Sequence, residues 1–184
     1  VYDASSVTSA GRAAKRIGVA ALAVKGTANT AVTLTGYGAG VEAFGEDGAD
    51  TPGMSTLLKL LFANGASTVY AVRVGAGGGL EAYQAAFAAL ANCDVQVVVC
   101  DSSELTIQKA LKTAVETASA ARGERIGVIG GSGDTAAQLV TRAEAINSER
   151  MVLVGPDMKD ESGKALSGVF AAAAVAGAIA CGAD

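Results

Sequence analysis

The chain's fold is constrained most by four short apolar runs that barely alternate: STVYAVRV (residues 67–74), VQVVVC (95–100), RIGVIG (125–130) and RMVLVG (150–155). A strand with one wet face alternates apolar and polar side chains. Runs without that alternation are strands covered on both faces, as in a parallel sheet. Helical patterns separate them. LEAYQAAFAALA follows the first run, and SELTIQKALKTAVETASAARG follows the second with Leu111, Ala114, Val115 and Ala118 on one stripe. DTAAQLVTRAEAIN follows the third. Asp101 is expected to cap the second of these helices, with Glu104 returning a hydrogen bond three residues on, and Asp134 is expected to cap the third.

Strand and helix in this order predict an α/β fold with right-handed crossovers. The expected architecture has three layers: a mainly parallel or mixed sheet flanked by helices, Rossmann-like or flavodoxin-like in arrangement. With 51% hydrophobic residues but only 4% aromatic ones and no Trp, the core must come from Ala, Val, Leu and Ile, which suits helices packed closely on a sheet. The N-terminal third predicts a strand in RIGVAALAV, a short one in AVTLT, and helices around GAGVEAFG and GMSTLLKLLFANG, the last stopped at Asn64-Gly65. At 184 residues, one domain is expected.

Several function classes drop out. The chain has no histidine, which removes Ser-His-Asp and Cys-His catalysis and histidine metal sites. A net charge of −4, with only Arg12, Lys15 and Arg16 clustered, argues against nucleic-acid binding. Those three read as a solvated strand entry. Cys93, Cys100 and Cys181 form neither a CxxC pair nor an even set, so they are expected reduced and mostly buried in a reducing compartment. GVFAAAAVAGAIACGA (168–183) is too short and too Gly-broken to span a membrane and reads as a buried helix in which Ala174 and Gly177 have little room. No leader for export is apparent.

Four stretches carry a chemical suggestion. Glu46, Asp47 and Asp50 in GEDGAD lack the ligand spacing of a calcium loop and read as a solvated turn. Gly163-Lys164 lacks the earlier glycine and the following Ser or Thr of a phosphate loop. Gly75 to Gly79 reads as a flexible connector. Gly131 to Ala136 (GSGDTA) satisfies the loose dinucleotide fingerprint, and Asp157 lies about 20 residues on, where a ribose-binding acid is wanted. An α/β protein also needs glycine and a capping acid where strand becomes helix, with no ligand present. Both readings of this turn stand on the residues alone.

Two groups of segments resemble the sheath protein of contractile phage tails and phage-tail-like particles. GYGAGVEAFGED (36–47) and MSTLLKLLFANGASTVYAVRV (54–74) are similar to the family's Phe-Gly element, its helix ending in Phe and an Asn-Gly turn, and its strand ending in Val-Arg-Val. SERMVLVGPDM (148–158) and LSGVFAAAAVAGAIACGAD (166–184) are similar to the strand and the Ala-Gly-rich helix that lead into the family's C-terminal domain. Residues 94–146 fit in order and spacing.

The resemblance implies a structural subunit without catalytic, cofactor or metal residues. It implies stacked hexameric rings of sheath subunits around a tail tube, attached to a baseplate, that contract to drive the tube through the target envelope. No nucleic acid or membrane insertion is implied. The location would be the virion tail or a phage-tail-like particle, assembled in the bacterial host cytoplasm. In that family, extended terminal segments add strands to neighbouring subunits. Residues 1–184 are therefore expected to be a single α/β body lacking those arms and the C-terminal domain. The alternatives are a nucleotide-binding α/β enzyme using the Gly131–Ala136 turn, or a regulatory or scaffold domain.

Overall fold

A computed structural model describes residues 14–48, 50–159 and 163–182. Six strands form one sheet: β1 (Ile17–Ala21), β2 (Ala31–Leu34), β3 (Val69–Arg73), β4 (Val97–Cys100), β5 (Ile126–Gly130) and β6 (Met151–Val154). Their order across the sheet is β2-β3-β1-β4-β5-β6. All neighbours pair in parallel except β2, which runs antiparallel along β3 with Val32 opposite Ala71. The expected mainly parallel three-layer α/β fold is the one observed. A small antiparallel pair, β7 (Met158–Lys159) and β8 (Ala165–Leu166), stands apart from it.

The four diagnostic runs do not alternate because each is sandwiched. On one face lie α1 (Tyr37–Phe44), α2 (Met54–Ala63) and α6 (Gly168–Cys181), which share a core with Ile17, Val19, Val69, Val97 and Val128. On the other lie α3 (Leu80–Ala91), α4 (Leu105–Ala120) and α5 (Ala136–Ile146), sharing a core with Ala20, Val72, Val98 and Ile129. On α4, Leu111 and Val115 are buried as the stripe requires. Asn64 ends α2, and Gly65 takes φ +95°, a left-handed stop that a side chain would strain.

Helix α6 is apolar all round because it is covered on both sides, by the sheet and by α2. Ala172, Ala173, Ala176 and Ala180 are buried there. A Cβ on Gly177 would lie 2.7 Å from the Leu61 carbonyl oxygen, whereas Ala174 is only partly buried. Gly177→Leu is therefore expected to cost on the order of 3 kcal/mol, and Ala174→Leu clearly less. Equal melting temperatures for the two variants would contradict this packing.

Cys100 is buried, and burial pushes its thiol up to about 12, but Cys93 is only partly buried and Cys181 is exposed. The expectation of three mostly buried thiols fails at Cys181, which is the last residue of α6 and is exposed. Of the basic trio, Arg12 lies outside the described residues. Arg16 pairs with Asp94, and Lys15 donates to the Ile179 carbonyl at 3.4 Å.

Candidate functional site

An open α/β sheet holds ligands in the crevice outside the carboxyl ends of its strands, where the strand order reverses. Here the reversal falls between β1 and β4, since the chain moves outward to β3 on one side and to β5 and β6 on the other. The same edge carries the Gly131–Ala136 turn, just after β5.

Side chains of the protein occupy this edge. Asp101, directly after β4, accepts from the Leu22 backbone N–H at 2.8 Å and from the Tyr83 hydroxyl at 2.5 Å. It thus ties the end of β1 and helix α3 to β4. Burial pushes the Asp101 carboxyl up to about 6, opposed by its hydrogen bonds with Tyr83 and Leu22; desolvation and the adjacent carboxylate raise Tyr83 above the ordinary tyrosine range.

Because Asp101 is diverted to a residue 79 positions away, it does not cap α4. The backbone residue at that cap is Glu104, which makes no side-chain capping bond; its N–H donates to the Ser102 hydroxyl at 3.2 Å. This corrects the capping box expected from Asp101 and Glu104.

Asp134 does not cap α5 either. Thr135 is the cap, its hydroxyl accepting from Gln138 N–H at 3.3 Å while the Gln138 side chain accepts from Thr135 N–H at 2.8 Å. The T-x-x-Q spacing of this reciprocal box was legible in the sequence. Asp134 instead pairs with Arg142 Nε at 2.8 Å, with both side chains largely buried. Arg142 also donates to the Ser103 carbonyl at 2.7 Å and to Gln108 Oε1 at 3.0 Å. Gln108, fully buried, donates in turn to the Gly130 carbonyl at 2.8 Å and the Ser102 carbonyl at 3.1 Å.

Asp157 completes the closure. One carboxylate oxygen accepts from Gly133 N–H and the other from Gly168 N–H, each at 2.8 Å. The turn donor that a pyrophosphate would seek at Gly133 thus already holds an internal anion, as does the N-terminus of α6. A Cβ on Gly131 would fall 2.1 Å from Asp134 Oδ2, and one on Gly130 would fall 2.0 Å from the Gly168 carbonyl oxygen. These glycines make room for protein atoms.

The acids of GEDGAD and Lys164 also find internal partners. Asp47 accepts from Gly53 N–H and Thr56 N–H, each at 2.8 Å, holding the N-terminus of α2. Only part of GEDGAD is therefore a solvated turn. Glu46 accepts from the Tyr37 hydroxyl, and Asp50 from Lys164 Nζ at 2.8 Å. Among the described residues, no cluster of three or more Cys, Asp or Glu is placed to hold a metal ion, and no helix is long and apolar enough to cross a membrane.

The raised carboxyl of Asp101 has a measurable consequence. Its folded-state value of about 6 lies above the ordinary 3.8. Between these values the folded chain binds more protons than the unfolded one, so this group stabilises the fold as pH falls below 6 and the contribution is lost as pH rises through 6. From pH 7 to pH 5 it should add about 1 kcal/mol. Urea unfolding at both pH values should show that increment in the parent and not in Asp101→Asn. Identical pH slopes would contradict it.

The fold and this closed edge define a parallel α/β body whose usual ligand crevice is built over by its own carboxylates, glutamine and arginine. Among solved structures, the chain resembles the sheath tail protein of Desulfitobacterium hafniense, at 12% identity over 91% of this chain and 59% of that one, with a TM-score of 0.69. A sheath tail protein from Listeria innocua matches equally, at 12% identity, 93% and 57% coverage, and a TM-score of 0.69. The helical sheath of the anti-feeding prophage in its contracted state matches at 15% identity, 92% and 46% coverage, and a TM-score of 0.62. The chain has the fold of contractile-tail sheath proteins, and it spans about half the length of those it matches. No protein-family model and no curated protein matches the sequence.

Proposed function

We propose that this chain is the rigid α/β body of a contractile tail sheath subunit. The observation that carries the reading is the agreement of fold with sheath proteins over more than nine tenths of the chain. The quoted Phe-Gly, Asn-Gly and Ala-Gly-rich segments support it from the sequence side.

In this reading residues 1–184 are one body of the subunit. Subunits stack as hexameric rings around a tail tube, joined to a baseplate, in a virion tail or tail-like particle assembled in the host cytoplasm. The work is mechanical. Contraction exchanges one set of contacts between rigid bodies for another, which requires bistable packing and no catalytic group, cofactor or metal.

The internal use of Gly133 N–H by Asp157 weighs against the nucleotide-binding alternative at Gly131–Ala136. Calorimetry with NAD, NADP, FAD and ATP should show no binding, and a low-micromolar dissociation constant for any of them would overturn that point. The assembly itself is tested by negative-stain electron microscopy of the complete gene product. Striated hollow tubes are expected. A protein that stays dispersed under every polymerising condition would contradict the sheath reading.

A further inference from the structure

Between α3 and α4 runs an open groove of about 610 Å³. Most of its lining is small, with Ala88 and Ala91 from α3 and Ala114 and Ala118 from α4, although Phe87 and Thr117 also reach it. Arg125 lines it at the end where both helices terminate, and is only 7% exposed. The guanidinium donates to the carbonyls of Gly123 at 3.1 Å, Leu90 at 3.2 Å and Cys93 at 3.3 Å. No carboxylate forms an ion pair with it among the described residues; Asp94 attracts it but pairs with Arg16. Carbonyls at the helix ends and the attraction of Asp94 offset part of the cost of burying this cation, yet among the described residues no carboxylate pairs with it. A groove with narrow walls and a buried cation at one end suits a helix of small residues that ends in an acid.

The chain carries such a helix. On α5, Ala137, Val140, Ala143 and Glu144 are exposed, Val140 by 57%. Val140 and Glu144 stand four residues apart, one turn along the same face. Glu144 has no hydrogen-bond or ion-pair partner among the described residues. We propose that the α3/α4 groove receives helix α5 of a second copy of this chain, with Val140 between the alanine walls and Glu144 reaching Arg125.

The polarity of the elements sets the symmetry. All three helices follow parallel strands on one face of the sheet, so α3, α4 and α5 share a direction and their C-terminal ends lie at one edge. Glu144 is near the C-terminal end of α5, and Arg125 lies at the C-terminal end of the groove. The incoming helix therefore enters parallel to α3 and α4, so the two copies point the same way. The two surfaces are different patches of one chain, so the contact is head-to-tail and propagates into a ring or helical array instead of closing as a two-fold dimer. Small residues on both sides permit a close helix approach, about 8–10 Å between axes.

This interface rests on the sheath reading for the presence of many copies, and its test separates the two. The complete gene product, with Cys93→Ser and Cys181→Ser to remove the two thiols that are not fully buried, is made as Ala88→Cys and as Val140→Cys and treated with a short thiol cross-linker. Mixing the two variants should give cross-linked dimers, while neither alone should exceed the background of the chain carrying only the two serine substitutions. Glu144→Lys in the Val140→Cys chain should cut the mixed yield at least about tenfold, with an unchanged melting temperature because Glu144 is exposed and unpartnered. Tubes that form without this cross-link would overturn the interface and leave the sheath reading standing. Cross-linked pairs without tubes would support the interface and count against the sheath reading. Neither cross-link nor tubes would overturn both, and a yield insensitive to Glu144→Lys would overturn the Arg125 contact.

Discussion

Gly130→Val is expected to destabilise the protein by about 3 kcal/mol or more, on the order of the worst overpacking changes. Its Cβ would lie 2.0 Å from the Gly168 carbonyl oxygen, 2.1 Å from that carbonyl carbon and 2.5 Å from the Val169 nitrogen. All three are backbone atoms, so no rotamer change relieves the clash, and α6 would have to lift from β5. That movement would also separate Gly168 N–H from Asp157. Gly38→Ala is the matched control, since a Cβ there meets nothing within 4 Å and the residue lies inside α1. It should be neutral or stabilising by about 0.5–1 kcal/mol. Chemical unfolding of both variants checks the pair, and similar midpoints would show that α6 does not seat on Gly130.

The second large effect is expected from Gln108→Leu, at about 2–4 kcal/mol, although the substitution nearly conserves volume. Gln108 is fully buried and serves three partners: the carbonyls of Gly130 and Ser102, and the guanidinium of Arg142. Leucine would leave two buried carbonyls and an arginine donor short of a partner, and an orphaned buried polar group costs more than a made hydrogen bond contributes. Gln108→Glu is informative beside it. It keeps the acceptor for Arg142 but loses both donors, so it should fall between the parent and leucine near neutral pH. A leucine variant as stable as the parent would show that this network contributes nothing to the fold.

Much of the architecture was legible because sandwiching leaves a direct trace: VVVC in β4 is buried at every position, and the sequence shows no alternation there. The helix stop at Asn64-Gly65 was equally local. The strand order was not, because nothing in IGVAA says that β1 lies in the sheet centre between β3 and β4, nor that β2 runs antiparallel at an edge. The capping errors divide the same way. Thr135 with Gln138 is a local pattern that adjacent Asp134 masked, whereas the diversion of Asp101 to Leu22 N–H depends on tertiary contact.

The Gly131–Ala136 turn shows why motif and site diverge. Its glycines have structural reasons, Gly131 the approach of Asp134 and Gly133 a φ of +67°, just as Gly130 before it makes room for α6, and the acid 24 residues beyond Gly133 does bind that turn, but as its internal anion. The fingerprint describes a junction between strand, helix and a nearby carboxylate, and that junction forms with or without a nucleotide. Nothing in RIGVIG distinguishes Arg125 from an exposed arginine at a strand entry. Only the fold shows it buried beneath two helix ends.

As the proposed body of a sheath subunit, the chain should stay rigid while its contacts change. Cryo-electron microscopy of the assembled gene product in extended and contracted states tests it most directly. The β2-β3-β1-β4-β5-β6 sheet with its six helices should superpose between the two states to within about 1 Å, with contacts between subunits exchanged and the crevice beside Asp101 and Asp157 still closed by those side chains. A sheet that repacks internally on contraction, or a ligand held between Gly133 and Gly168 in place of Asp157, would contradict the account.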